Sequence, residues 1–597
     1  MNQRFINFRL FLLISFSITI VGVSCKRYLE VEPISSFGTD YVFDNVVNAE
    51  KAVLGAYNRL TGDQGYGIRL SMYYSLDDDL MMGQGGNPYP DNERRDIAHY
   101  RVNQNNTQLP GPFSQLYEGV ERSNLCIYYI PRMEKYTNGS ENEKMLLRRL
   151  HGEALTLRAQ YYLELIRNWG DVPAHFQPAS METDLQKAKT NRDTIYNRLI
   201  EDLALAATLV PWRSKVPRDE RITQGAVRAL RARIALYRGG YSLRRESRTM
   251  ERPADYLTYY QIAKEECLEI MQSNEHALNP SFESLFKDYI AGKTLDPHGE
   301  VLWEVAMGGG NSALGDSKLG YYNGPRGNST GPSNGAGNSA LTILPSYFYM
   351  FDSTDTRRDV TCVPFNLTST GNIVGRNMAI MVDGKFRRNW IPGALTSTAQ
   401  YFGVNWPLIR YSDVLLMFAE AENEINGGPT AAAVTAFETV RKRGFGGNAS
   451  LIGTTPSDKL GFFNAIVKER ALEFGGEGIR KYDLIRWNML GQKLTETKAT
   501  LNAMSERQAP YDQLPDYMYY KNESPTLIWA NPSYYKPNPF GSTAPAGFTR
   551  VDWVRSSIGT TILTYYAESF TPNKSELLPI PKSAIDANRN ITQDYGF

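Results

Sequence analysis

Residues Lys144–Trp169 read KMLLRRLHGEALTLRAQYYLELIRNW, and within them Leu150, Ala154, Leu157, Tyr161 and Leu165 advance by steps of 4, 3, 4 and 4. That spacing keeps to one face of a 3.6-residue turn and predicts a helix. Gly170 stops it and Pro173 prevents its resumption. Working outward, the same pattern predicts helices over Asn48–Leu60, Ser114–Pro131, Asp193–Leu209, Thr223–Tyr237 and Tyr256–Gln272. A later block comprises Ser412–Ile425, Ala431–Arg441, Asp458–Phe474 and Ile479–Met489. In Thr223–Tyr237 the alanines at 226, 229, 232 and 235 leave room for a neighbouring helix to approach closely.

Helix pairs of this size resemble tetratricopeptide repeats. The expected fold class is therefore mainly α, a tetratricopeptide-like helical scaffold with a loop-rich, irregular second part. Three long stretches fall outside the helices: Asp77–Pro112, Gly308–Gly337 and Asn502–Lys574. Loops above about 15 residues are normally functional or disordered. Gly308–Gly337 holds ten glycines and only three charged residues, and Asn502–Lys574 holds thirteen aromatics, so none reads as a linker.

Across 597 residues, Lys+Arg (65) and Asp+Glu (64) nearly cancel to a net +1. This removes the field that sequence-independent nucleic-acid binding needs. Tyr (37) outnumbers Phe (25), and tyrosine suits a wet binding surface as well as a core. Met1–Ser24 carries Arg4 and Arg9 followed by the apolar run Leu10–Val23, the layout of a secretory signal. Cys25, directly after Gly22-Val23-Ser24, resembles the acylated cysteine of a bacterial lipobox. Acyl chains at Cys25 would anchor the chain, since each buried CH₂ adds about 0.8 kcal/mol. The other cysteines, Cys126, Cys267 and Cys362, are odd in number and lack a C-x-x-C; Cys267 lies on an apolar stripe and reads as a buried thiol. The five histidines show no metal-ligand spacing, so no metal or cofactor is expected.

Glu469, Glu473 and Glu477 fall at i, i+4 and i+8, and paired carboxylates are the equipment of a glycosidase. Arg470, Arg480 and Arg486 crowd the same stretch, and arginine lowers a carboxyl pKa, the wrong direction for a general acid. A structural ion network is the expectation. Asp77-Asp78-Asp79 lacks the Gly and Asn spacing of a calcium loop and reads as helix-end or solvated. Gly327-Asn328-Ser329-Thr330-Gly331 matches G-x-S-x-G without the flanking strand and helix a nucleophile elbow needs.

Five ordered segments resemble the SusD/RagB family of nutrient-binding outer-membrane lipoproteins. They are Glu153–Leu165 running into Trp169-Gly-Asp-Val-Pro173, Arg410–Asn423, Glu469–Arg486, Leu578–Pro581, and Asn590–Gln593 with Gly596-Phe597. The resemblance implies a signal peptide over 1–24 and one integrated fold, with a helical region over 25–307 and a region of long aromatic loops and late helices over 308–597. It further implies a non-catalytic lipoprotein of the outer membrane facing the cell exterior. Such a protein captures oligosaccharides, or in some members peptides, for a SusC-like TonB-dependent transporter. The rival readings are a peptide-binding module and a glycoside hydrolase.

A sugar's C–H face lies flat on Trp or Tyr, and its hydroxyls pair with Asn, Asp and Arg. The aromatic loops therefore supply the candidate ligand-binding residues: Tyr89, Tyr100, Tyr321, Tyr322 and Trp390 as platforms, with Asn323 and Arg326 as polar partners. Low charge around Gly308–Gly337 suits a neutral ligand, while Arg387 and Arg388 would admit an acidic sugar.

Overall fold

The computed structural model describes residues 38–83, 85, 89–216, 221–327, 335–368, 372–393, 399–523, 526–530, 534–554 and 558–597. The signal segment, Cys25 and Ser329 of the G-x-S-x-G match lie outside the described residues. The principal helices are α1 (Val46–Tyr57), α2 (Pro110–Tyr129), α3 (Glu141–Trp169), α4 (Arg192–Leu209), α5 (Gln224–Arg238) and α6 (Tyr256–Gln272). After a long interval come α7 (Tyr411–Asn426), α8 (Ala431–Gly444), α9 (Lys459–Phe474), α10 (Arg480–Arg486) and α11 (Leu490–Ser505).

Helix α3 begins in a reciprocal cap. Ser140 Oγ accepts from the Glu143 amide at 3.4 Å, and the Ser140 amide donates back to Glu143 at 2.9 Å. It ends at Gly170, whose φ of 76° favours glycine, and a Cβ there would lie 2.6 Å from the Arg192 guanidinium. From Leu150 to Trp169 every residue is buried, so α3 is enclosed on all sides. Its charges are compensated in place: Arg158 meets Asp202 of α4 at 2.5 Å, and Glu153 takes Arg149 at 2.8 Å and Arg221 at 2.7 Å. Helix α2 approaches closely because Gly119 faces the Tyr161 ring, where a Cβ would sit at 2.4 Å.

Each helix packs against the next: α2 on α3, α3 on α4, α4 on α5, α5 on α6, α6 on α7 and α7 on α8. Nearest-neighbour stacking of helix pairs is the architecture of a tetratricopeptide-like solenoid. The expected alanines of α5 are all fully buried in that stack. Helices α6 and α7 are spatial neighbours although residues 273–410 separate them in the chain. The irregular part is thus an excursion from the solenoid that returns to it. Among the described residues, no helix is long and apolar enough to cross a membrane.

The excursion opens and closes on one strand pair. β1 (Val301–Val305) runs antiparallel to β4 (Trp406–Arg410), with Trp406 opposite Val305 and Arg410 opposite Val301, every residue buried. Between them lies the hairpin β2 (Phe365–Leu367) with β3 (Ile373–Gly375). A late three-stranded sheet, β5 (Tyr517–Glu523) between β6 (Thr526–Trp529) and β7 (Thr549–Asp552), occupies part of the stretch expected to be loop. Helix α11 also runs beyond the expected helical block, to Ser505. Helix α11 is largely polar and β6 and β7 have only four residues each, so neither feature carries a clear period in the sequence.

The C-terminal helices are held by buried ions. Arg410, at the end of β4, meets Glu477 at 2.7 Å, Glu300 at 2.8 Å and Glu473 at 2.9 Å. Arg357 joins Glu469 at 2.7 Å, Glu473 at 3.0 Å and Asp355 at 2.8 Å. Arg443 pairs with Glu300 and Glu473, Lys385 with Glu477, and Arg441 with Glu469. Five cations thus face five carboxylates. Glu469, Glu473 and Glu477 thus sit in a structural ion network, and Glu473 is wholly buried.

The Asp77–Asp79 run needs correction, because it is neither solvated nor at a helix end: all three residues are buried. Asp77 accepts from the amides of Gly83 at 2.7 Å and Ala567 at 2.8 Å and contacts His99 Nδ1 at 2.8 Å. Asp78 accepts from the amides of Leu80 and Met81, and Asp79 takes Arg480. Cys126, Cys267 and Cys362 are free and buried, and burial pushes the Cys126 thiol up to about 12.

Candidate functional site

Residues Leu319–Tyr322 form a single helical turn inside the excursion. The Tyr321 carbonyl accepts from the Asn338 amide at 2.7 Å, and the Tyr322 carbonyl accepts from Ala340 at 2.8 Å. Gly327 and Gly337 exchange two backbone hydrogen bonds at 3.3 Å, and the Leu367 amide of β2 donates to the Arg326 carbonyl at 2.8 Å. These bonds hold the backbone that lines a cleft of about 520 Å³. Its lining includes Tyr321, Arg326, Asn338 and Asn366.

None of those four side chains has a hydrogen-bond or ion-pair partner among the described residues. The Arg326 guanidinium is exposed and forms no ion pair among the described residues, and neither side-chain amide of Asn338 and Asn366 has a hydrogen-bond partner there. One half-buried ring beside a fork of five donors and two amides offers a flat apolar surface flanked by directional polar groups. Small-molecule sites of this volume combine those elements.

The remaining predicted residues separate sharply. Tyr322, next to Tyr321, is only 9% exposed. It stacks edge-on between Tyr321 at 5.0 Å and Tyr73 at 6.3 Å, as a support beneath the site. Asn323 is buried and donates its amide to Asp383 at 2.8 Å, so it offers nothing to a ligand. Tyr100 is likewise corrected: its ring packs edge-on against Phe570 at 5.1 Å and its hydroxyl donates to the Asp77 carbonyl. Burial raises that phenol well above its ordinary pKa. Tyr89 is 74% exposed but is not part of the cleft lining. Trp390 is half-buried, on a turn packed against Leu319–Tyr322, with the Arg387 guanidinium 4.5 Å from its ring centre.

Arg387 and Arg388 do not form the expected acid-binding pair. Arg387 donates to the carbonyls of Asp359 and Val360, and Arg388 to those of Ala336 and Ala399. Arg388 instead braces the cleft wall from behind, with Phe402 3.8 Å from its guanidinium. Beside this framework are rings that the sequence did not single out. Tyr73 is half-buried, with Arg69 and Arg94 each 5.9 Å from its centre. Tyr401 donates to Asp63 at 2.8 Å beneath Lys318. Tyr73 lies in a short stretch with no period to mark which of Tyr73 and Tyr74 faces outward.

Two family profiles cover most of the chain in chain order. One described as starch-binding associating with outer membrane matches residues 28–236, and one described as the SusD family matches residues 363–597. The chain belongs to the SusD family. Among curated relatives, SusD-like protein P25 of Formosa agariphila is 23% identical over 514 residues, 78% of this chain and 88% of that protein. SusD-like protein P38 of the same organism is 23% identical over 84% of this chain and 95% of its own length. A SusD homolog from Bacteroides thetaiotaomicron superposes with a TM-score of 0.75 at 22% identity, covering 93% of this chain and 98% of that one. Surface glycan-binding protein A from the same organism, solved with laminarihexaose, gives a TM-score of 0.62 at 19% identity over 92% and 99% of the two chains. These likenesses establish a SusD-like, tetratricopeptide-type helical fold.

Proposed function

We propose that this SusD-like chain captures oligosaccharides at the outer surface of the outer membrane, in the cleft bearing Tyr321, Arg326, Asn338 and Asn366. The single observation that carries the reading is the set of uncommitted polar groups around one accessible ring, on a backbone fixed by hydrogen bonds. Preorganised groups bind without paying to become ordered. One or two platforms at about 0.5–1.5 kcal/mol each give weak, reversible capture, which suits a protein that hands its cargo on unmodified. A glycan-binding relative solved with laminarihexaose and the outer-membrane description of the N-terminal profile support the same reading.

In this proposal the chain is acylated at Cys25 and delivers its cargo to a SusC-like TonB-dependent transporter. Hydrolysis is not part of this proposal, and the burial of Glu469, Glu473 and Glu477 in the ion network supports that reading. Calorimetry of the purified protein against a panel of neutral oligosaccharides, with a peptide panel alongside, tests it. Binding of an oligosaccharide that Arg326→Ala and Tyr321→Ala both weaken supports the proposal. Binding of peptides alone, or glycan turnover, overturns it. Mass spectrometry of the mature N-terminus tests acylation at Cys25.

A further inference from the structure

A second cleft, of about 530 Å³, opens where α9 and α11 meet residues 346–350 and Tyr511, and it shares no lining residue with the Tyr321 cleft. Its size also falls within the range of small-molecule sites. Six groups on its wall have no side-chain hydrogen-bond partner among the described residues: Ser346 Oγ, the Asn464 amide, the Lys468 ammonium, the Thr497 and Thr500 hydroxyls and the Tyr511 phenol. Ser346 Oγ is sealed from solvent, and an orphaned hydroxyl at that depth costs free energy until something bonds to it.

The other charges of the wall are already paired. Asp79 holds Arg480 at 2.7 Å, and Lys493 holds Glu496 at 2.7 Å. Among the described residues, Lys468 therefore stands as the one lining cation without a counter-charge, and the wall carries three cations against two carboxylates. The lining also includes Met350, Met489 and the Tyr349 ring, which add apolar surface. The Tyr349 hydroxyl does not serve the cleft, because it donates to the Tyr534 carbonyl at 3.0 Å and accepts from Trp553 Nε1 at 2.9 Å. Apolar side chains, unpartnered hydroxyl and amide groups and one excess positive charge in one cleft match a ring with an apolar face, several hydroxyls and one carboxylate.

We propose that this cleft binds a small polyhydroxylated acid of the uronate type, its carboxylate on Lys468 and its hydroxyls on Asn464, Thr497 and Thr500. The site is separate from the Tyr321 cleft and does not depend on it. An ion pair at an exposed lysine is modest, so the expected dissociation constant is on the order of 1 mM.

The test is calorimetric titration of the full chain with digalacturonate, with maltose and sodium acetate as comparison ligands. The expected result is saturable digalacturonate binding, at least about fivefold tighter than maltose, without competition from acetate. Lys468→Ala should weaken digalacturonate by at least about fivefold and erase that preference, while Lys468→Arg and Tyr321→Ala keep it. Lys468 is exposed, so its variants should fold, and circular dichroism checks this. No saturation by about 20 mM, unchanged binding in Lys468→Ala, or loss in Tyr321→Ala alone would overturn the proposal.

Discussion

Asp79 and Arg480 stand 401 positions apart in the chain and meet in a forked ion pair, at 2.8 and 2.7 Å, with both side chains nearly sealed from solvent. The pair ties the segment after α1 to the start of α10. Removing either partner strands the other charge in the interior, which typically costs about 3–5 kcal/mol. Asp79→Ala and Arg480→Ala should each lose about that much in urea unfolding, and the double variant less than their sum. A loss under about 1 kcal/mol in either single variant would identify a solvated contact instead.

Glu473 has a pH signature. Burial alone would raise its pKa, yet Arg443, Arg410 and Arg357 hold it well below the usual carboxylate range. A depressed folded-state pKa contributes stability above the unfolded value of 4.5 and loses it as pH falls toward the folded value. Glu473→Gln should therefore be destabilised by about 3–5 kcal/mol at neutral pH. The difference in melting temperature from the parent should shrink below about pH 4. A difference independent of pH would rule out the linkage.

His151 should act in the neighbouring acid range. Burial, helped by the charge of Arg158, pushes it down to about 4 from an ordinary 6.5. The ring is neutral in the fold, so its contribution is complete above 6.5 and is lost as pH falls through the folded value. His151→Phe should flatten the melting-temperature profile between pH 6 and about 4 relative to the parent. Proton resonances of the ring titrating near 6.5 in the folded protein would contradict this.

Tyr321 and Tyr322 should behave as opposites. Tyr321→Ala is expected to weaken oligosaccharide binding with thermal stability little changed, because its ring is only half-buried. Tyr322→Ala should instead destabilise by about 3 kcal/mol, the cost of a cavity where a buried ring stood between two others. Equal loss of stability in both variants would mean that the Tyr321 ring belongs to the core.

Arg326→Ala should lower glycan affinity by up to about tenfold and leave unfolding unchanged within about 0.5 kcal/mol, since its guanidinium has no ion-pair partner among the described residues. Titration calorimetry and denaturant unfolding on the same preparation check both halves.

The helices were legible because their information is local. Leu150, Ala154, Leu157, Tyr161 and Leu165 repeat at the period of one helical face, and all are fully buried in α3. Gly170 and Pro173 end that helix by backbone sterics that need no partner. The strands carried no such signal: β1 and β4 are buried on both faces, so they do not alternate, and each has five residues. The ionic reading of Glu469–Glu477 was likewise available from the arginines nearby. Its actual partners were not, because Arg357, Lys385 and Arg410 come from distant segments.

Which side chains face a ligand was decided only by the tertiary structure. Tyr100, Tyr321, Tyr322 and Asn323 all stand in aromatic loop stretches, yet of these four only Tyr321 lines the cleft, while Asn323 turns inward to Asp383 and Tyr100 to Asp77. The chain determined by itself that helices form and where they stop, since hydrogen bonds and side-chain period act within a few residues. Exposure depends on what arrives from elsewhere to cover a ring, and in this protein Tyr73 and the Arg388–Trp390 turn pack on the Leu319–Tyr322 turn and Phe570 packs on Tyr100. No spacing along the chain encodes that arrival.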